Sequence, residues 1–251
     1  MTPELLDSRI LCALRFVDVE TGLMINRRLE LSAAGLTVVR NGHGLYVLTG
    51  APGFSAYTSS FLVPNNFSAP AGPLPVVTIV DRTGQYLPRK LTLPDLPRDP
   101  APAHAEDAPS LFRPVDVTMY PSPTARPAPG SAVVRASVSR AGKPLAGALV
   151  WVREASPTPS VIGRGLTDER GEALALVPGI PLVNWNAGEK DEVSSKTIDV
   201  EVRVAFDPNG GGGAGVADPG ALEQMSMNDL DVLATFSLAA GQEKPLSLQV
   251  P

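Results

Sequence analysis

The sequence predicts an all-β protein built as two β-sandwich domains joined by an extended, proline-rich linker. Three observations carry that expectation. Apolar and polar residues alternate at period two through one short segment after another, the pattern of half-buried strands. The 26 prolines and 23 glycines punctuate those segments, while charged residues fall to 19%, which suits many short strands and turns better than long helices. Proline is also concentrated, with ten of the 26 lying between Pro94 and Pro129. Such a stretch stiffens a chain but cannot build a core. With 251 residues and 43% apolar content there is enough material for two ordinary cores. Because only 5% of residues are aromatic, those cores must rest mainly on Val, Leu, Ile and Ala.

The first domain is expected over residues 8–97. Ile10, Cys12, Leu14 and Phe16 alternate with Leu11, Ala13 and Arg15, a first strand that runs on to the turn Glu20-Thr21-Gly22. Further strand-like segments lie at Leu29–Leu31, Leu36–Arg40, Leu45–Leu48, Ser60–Val63 and Val76–Val80. A tight turn, DRTGQ from Asp81 to Gln85, leads into a last strand over Tyr86–Leu93, where Pro88 marks an edge or a bulge. Residues 98–111 are the expected linker. PVDVTMY, Pro114 to Tyr120, is a strand-like island beside it.

The second domain is expected over residues 112–251. Val134, Ala136 and Val138 alternate with Arg135, Ser137 and Ser139, and a turn at RAGKPLAG leads to a strand at Leu149–Val152 that contains Trp151. The clearest strand is Thr197–Phe206, with Ile198, Val200, Val202, Val204 and Phe206 on one face. Val232–Leu238 and Leu246–Val250 are strand-like again. A single short helix is expected, with Asp218 as its cap, Pro219 in its first turn and ALEQM following. The Gly-rich stretch within 207–217 reads as a flexible insertion, because no Lys-Ser/Thr follows it as a phosphate-binding loop requires.

One phrase occurs twice. NGHGLYVLTGAPG begins at Asn41, and DERGEALALVPGIP begins at Asp168; each is a polar turn closed by glycine, a short apolar strand, and a second turn with Pro and Gly. The second copy lies within a longer stretch, VVRASVSRAGKPLAGALVWV followed by GRGLTDERGEALALVPGIP, that resembles the carboxypeptidase regulatory-like family. The matching positions are Gly142, Pro144, Gly147, Ala148, Val150, Thr167, Asp168, Gly171 and Pro178. The resemblance covers Ser131 to Pro181 well and Met1 to Pro97 faintly. It implies a seven-stranded transthyretin-like/Ig-like sandwich acting as an accessory or structural module, not a chemistry. The whole chain, with the turn Asp81-x-x-Gly84-x-x-Leu87-Pro88 and a strand ending in Tyr120-Pro121-Ser122-Pro123, is similar to accessory proteins of phage-tail-like contractile injection systems.

Residues 1–98 carry nine basic and seven acidic groups, while residues 99–251 carry twelve and nineteen. Opposite signs on the two parts favour head-to-tail contacts between copies, and no basic cluster suited to nucleic acid is present. The one cysteine, Cys12, falls on the apolar face of the first strand, where a thiol is buried and inert. MTPELLDSRILCALRF places acids where a signal peptide needs bases, and no stretch reaches the roughly 20 apolar residues of a membrane span. A cytoplasmic location is therefore expected, followed by incorporation into a particle.

Neither histidine has a partner at metal-ligand spacing: His43 sits in a turn and His104 in the Pro/Ala stretch. The acids of Asp207–Asp218 lack the ligand alternation of a calcium loop. The sequon Asn66–Ser68 matters only in a secreted chain. No catalytic, metal or cofactor-binding residue is therefore assigned, and no cofactor is expected. The function expected is a non-enzymatic structural component of a contractile, phage-tail-like particle. Its partners would be tube, sheath, cap or baseplate proteins and further copies of itself, and the polar segment Glu189–Ser195 would order on assembly. The alternative is a stand-alone β-sandwich module binding a carbohydrate or protein ligand, for which Trp185 in the loop VNWNAG is the candidate contact.

Overall fold

A computed structural model describes residues 9–58, 75–93, 96–181, 197–208 and 215–251. These residues are strands, turns and loops, broken only by two single-turn α-helices and two 3-10 turns. The protein is all-β. It divides into two compact units, Met1–Val17 with Leu23–Val80 and Lys90–Thr118, and Asp18–Gly22 with Asp81–Arg89 and Met119–Pro251. This division crosses the contiguous domains expected over 8–97 and 112–251, since it groups 18–22 and 81–89 with the second unit. Two turns of the N-terminal half are hydrogen-bonded into the second unit. Val19 N–H donates to the Met119 carbonyl (3.2 Å), Leu87 N–H to Tyr120 (2.9 Å) and Ser122 N–H to Gln85 (2.8 Å).

The first unit holds β1 (Cys12–Asp18), β2 (Glu30–Ser32), β3 (Thr37–Arg40), β4 (Tyr46–Gly50), the helical turn α1 (Ser55–Thr58), β5 (Val76–Val80), most of β6 (Arg89–Thr92) and β7 (Val115–Met119). They form a sheet of order β3-β4-β1-β7 and a smaller one of order β2-β5-β6. Alternation sets the register: Cys12, Ala13 and Leu14 pair with Leu48, Val47 and Tyr46, so that Leu14, Phe16 and Leu48 are buried. Phe16 meets Tyr46 edge-on at 5.1 Å between ring centroids. The Tyr46 hydroxyl is also satisfied, accepting from Leu29 N–H (2.7 Å) and donating to the Leu29 carbonyl (3.2 Å). Sequence reasoning missed α1, which buries Tyr57. The strand expected at Ser60–Val63 lies outside the described residues.

Residues 98–111 are not an extended linker in the structure. They close on themselves, with Asp99 N–H donating to Pro109 (2.9 Å) and Leu111 N–H to Asp99 (2.7 Å), around a 3-10 turn at Pro102–His104. The buried Arg98 guanidinium anchors the closure on the carbonyls of Ser110 and Ala108. Arg98 N–H in turn donates to Leu11 (3.0 Å). Proline removes donors but leaves every carbonyl free, and one arginine gathers two of them here.

The second unit holds β8 (Ala132–Arg140), β9 (Lys143–Pro144), β10 (Leu149–Glu154), β11 (Val161–Leu166), β12 (Glu172–Val177), β13 (Thr197–Ala205), α2 (Gly220–Glu223), β14 (Val232–Ala239) and β15 (Glu243–Val250). One sheet runs β11-β10-β13-β14 and the other β12-β8-β15, with the short β9 on β8. A single cluster containing Ala132, Val134, Ala136, Val150, Val152, Ala175, Val200, Val202, Leu238 and Leu248 draws on both sheets, a sandwich-like arrangement with the Val/Ala/Leu core that scarce aromatics require. β8 to β12 and β10 to β13 pair antiparallel, while β15 runs parallel to β8 from Glu243↔Val133 to Val250↔Arg140. α2 starts two residues beyond Asp218, whose carboxylate accepts from Gly220 N–H at 3.0 Å.

The repeated phrase is one turn used for different ends. At Asn41 and at Asp168 the side-chain oxygen accepts from the N–H groups two and four residues on (2.9–3.0 Å). The backbone carbonyl accepts from the glycine three on, Gly44 or Gly171, whose φ is +85 or +75. An Asx side chain imitates a backbone turn, and glycine supplies the positive φ that closes it. Asp81 and Gly84 repeat the arrangement. The first copy joins β3 to β4 within one sheet, whereas the second carries the chain from β11 to β12, between sheets.

Candidate functional site

The residues that carry chemistry lie apart from one another. Cys12 is buried in β1, and burial pushes its thiol up to about 12, opposed in part by the Arg98 charge. It is a packing group with no thiolate to offer near neutrality. His43 is exposed in the Asn41 turn. His104 pairs with Asp99 at 2.5 Å between Nδ1 and Oδ2, and that hydrogen bond raises the imidazole above its ordinary value. Asp99 is lowered, first by the N–H it accepts from Ala101 and then by His104. Among the described residues no group of three or more His, Cys, Asp or Glu side chains is placed to hold a metal ion. Trp185, the sequon Asn66–Ser68, Glu189–Ser195 and positions 209–214 of the glycine stretch lie outside the described residues.

The second unit carries a polar network that sequence reasoning missed. On the outer face of the β11-β10-β13-β14 sheet, Leu149, Trp151, Leu166 and Ala205 pack with Tyr120 and Leu222, and Val19, Leu87, Met227 and Leu230 close over them. Arg89 reaches into this layer almost fully buried. Its guanidinium donates to Glu223 at 2.8 and 3.4 Å, and the Tyr120 hydroxyl donates to the same carboxylate at 2.8 Å. Burial foremost, then the Glu223 charge, drives the Tyr120 phenol well above its ordinary range, so it stays neutral. Farther along the face, Glu201 accepts from Arg153 (2.9 Å) and Arg203 (3.1 Å). The Arg203 hydrogen bond chiefly holds its carboxylate below the usual range. Arg203 also donates to the Met227 and Leu230 carbonyls at 3.0 and 2.5 Å. Arg164 stacks on Trp151, opposite it across the strands, at 4.7 Å. These charges are spent on one another and on backbone, fixing the segment 215–231 to the sheet. Nothing in the sequence pairs Arg89 with Glu223, 134 positions apart; the one signal is an arginine in the apolar run LPRKLTL.

Beside this layer lies an open cleft of about 410 Å³, bordered by Leu87, Gly147, Thr167, Asp168, Val216 and Ala217. Two of its polar side chains are committed. Thr167 donates to the Leu145 carbonyl (2.7 Å) and accepts from Ala148 N–H (2.8 Å), and Asp168 shapes its own turn. The resemblance positions Gly147, Thr167, Asp168 and Gly171 thus act on the fold.

The two flanks of this unit differ. On one, β11 and β12 approach until a methyl group at Gly163 would lie 2.7 Å from the Leu176 carbonyl oxygen, and one at Gly165 2.7 Å from that of Leu174. The gap between the sheets is sealed there by backbone. On the other flank β14 and β15, eight residues each, end their sheets. An edge strand presents unpaired N–H and C=O groups that a further strand can satisfy. This flank is the candidate interaction surface.

No family model and no curated protein matches the chain. Among solved structures it is similar to a 9R-lipoxygenase from Cyanothece PCC8801, at 18% identity and a TM-score of 0.23, over 49% of this chain and 16% of that one. It is also similar to BcpA, the major pilin subunit of Bacillus cereus, at 9% identity and a TM-score of 0.24, over 97% of this chain and 59% of that one. The chain spans less than two thirds of either protein, and neither likeness is close enough to argue from.

Proposed function

We infer that the protein is a non-enzymatic structural component of a contractile, phage-tail-like particle, made in the cytoplasm and docked to tube, sheath, cap or baseplate proteins and to copies of itself. In this reading it is a pair of β-sandwiches, the C-terminal one of carboxypeptidase regulatory-like, transthyretin-like type. The observation that carries the reading is the flank formed by β14 and β15 on a unit whose outer sheet face is already covered. A rigid sandwich with open strand edges offers directional, repeatable contacts by strand addition. The family resemblance, and the turns that Gly142, Thr167, Asp168 and Gly171 make, support the sandwich type.

The test is recovery of the tagged chain from its native host, followed by electron microscopy and identification of what comes with it. Tail or ring particles are the expected result. Recovery of the chain alone sinks this reading. Ligand binding that is lost when Trp185 is replaced turns the choice toward a stand-alone binding module.

A further inference from the structure

We propose that β14 is the seam of a homodimer, in which two copies pair β14 against β14 antiparallel and continue the β11-β10-β13-β14 sheet across a twofold axis. The proposal deepens the structural reading above and rests on it, naming a second copy of this chain as the occupant of that edge.

The first argument is what β14 lacks. Proteins guard sheet edges with charges, proline or bulges that discourage pairing. β15 has all but the last, with Glu243, Lys244 and Pro245 in its first three positions. β11 is closed off by its backbone approach to β12, as described above. β14 reads VLATFSLA, eight residues with no charge and no proline; its one bulge falls at Leu233, ahead of the regular stretch Ala234–Leu238, and among the described residues its strand neighbour is β13 alone.

The second argument is self-complementarity, which selects a copy of the chain over another partner. In an antiparallel pair, residues opposite each other share a face, so a twofold seam must be centred on a residue pair. With Phe236 facing Phe236, Ala234 faces Leu238 and Thr235 faces Ser237. Ala234, Phe236 and Leu238 lie on the inner side and pack on the core, while Thr235 and Ser237 are exposed. Apolar residues then meet apolar ones and hydroxyls meet hydroxyls, with an aromatic pair at the centre, each ring under its own Lys244 ammonium at 5.5 Å, and no like charges opposed among the β14 residues themselves. A closed, isologous contact of this kind ends at two copies.

The experiment is sedimentation velocity on the full chain from sub-micromolar to hundreds of micromolar, with light scattering to fix the mass. The wild type is expected to shift from 26.3 kDa to twice that mass. Thr235→Lys/Ser237→Lys places lysine opposite lysine twice across the seam, at positions exposed in the single chain. It is expected to weaken dimerisation about tenfold or more, with its circular dichroism spectrum and melting temperature measured at low concentration kept. Hydrogen exchange at β14 amides should slow with concentration in the wild type and not in the variant. A wild type that stays at 26.3 kDa throughout, or a Lys variant that dimerises equally well, overturns the seam. If the seam fails while host particles still come down with the chain, the structural reading stands without it. If the dimer forms and the host yields no particles, the seam stands and that reading falls.

Discussion

Asp99 and His104 form a pair whose pH behaviour follows from sign alone. His104 is raised by its partner, so its contribution to the closed 98–111 loop is complete below its unfolded value and is lost as pH rises through the raised one. Asp99 is lowered, so its contribution is present above its unfolded value and lost as pH falls through the depressed one. The loop is therefore tightest between those two limits. An NMR titration should place the His104 midpoint above 6.5, and Asp99→Asn should return it toward 6.5. Both groups are solvent-facing, so the readout is the midpoint and not the stability of the fold. Glu223 behaves differently because its partner Arg89 is 2% exposed. Replacing Glu223 with Leu leaves a buried guanidinium short of its main acceptor and should cost about 3–5 kcal/mol in urea unfolding. Adding Arg89→Met to Glu223→Leu should recover part of that loss, since an apolar pair replaces the charge pair at small net cost while the buried Tyr120 hydroxyl still lacks its carboxylate acceptor.

β11 shows why some elements were legible and others were not. β5 (Val76–Val80) and β13 (Thr197–Ala205) lie within a residue of where the sequence places them, β5 as a short run of β-branched residues and β13 because its inner face is Val and Ile and its outer face is not. VIGRGL at Val161–Leu166 was missed, since the positions facing Val150 and Val152 are the glycines Gly165 and Gly163, which carry no hydrophobic signal. The structural reason is the approach of β12, which leaves no room for a side chain. Gly165→Ala puts a methyl group 2.7 Å from the Leu174 oxygen and 2.9 Å from its carbonyl carbon. The nearest atoms are backbone and cannot swing aside, so a loss of at least about 2 kcal/mol is expected in a denaturant titration. Gly84→Ala meets nothing within 4 Å and should cost only about 1 kcal/mol, from its positive φ. The tertiary ion network was illegible for the opposite reason: its members each read as ordinary surface charge until the fold gathers them.

The molecule as a whole is divided by what is bonded to what, and not by where proline is dense. Residues 81–89 and 18–22 group with the C-terminal sheets, although the sequence reading places them in the first domain. A fragment cut at the boundary expected from sequence, 112–251, loses Arg89, Leu87 and Val19 and with them the cover over Tyr120, Trp151 and Glu223. Its melting temperature should fall well below that of the same residues in the full chain, and differential scanning calorimetry with tryptophan fluorescence would check this. The parallel pairing of β15 with β8 has a consequence for how the chain reaches its native state. Val133 meets Glu243, 110 positions later, and closing a loop of that length costs about 4 kcal/mol of chain entropy before any contact is gained. On a ribosome adding roughly 5–20 residues per second, β8 must wait on the order of 5–20 s for its neighbour to be made. During that interval its free edge is open to any strand that drifts by. Glu172–Val177 is encoded between the two and reaches the other side of β8 first. Antiparallel and nearer in sequence, it is the natural early partner, which leaves β15 to add late and at the slow end of the folding time range.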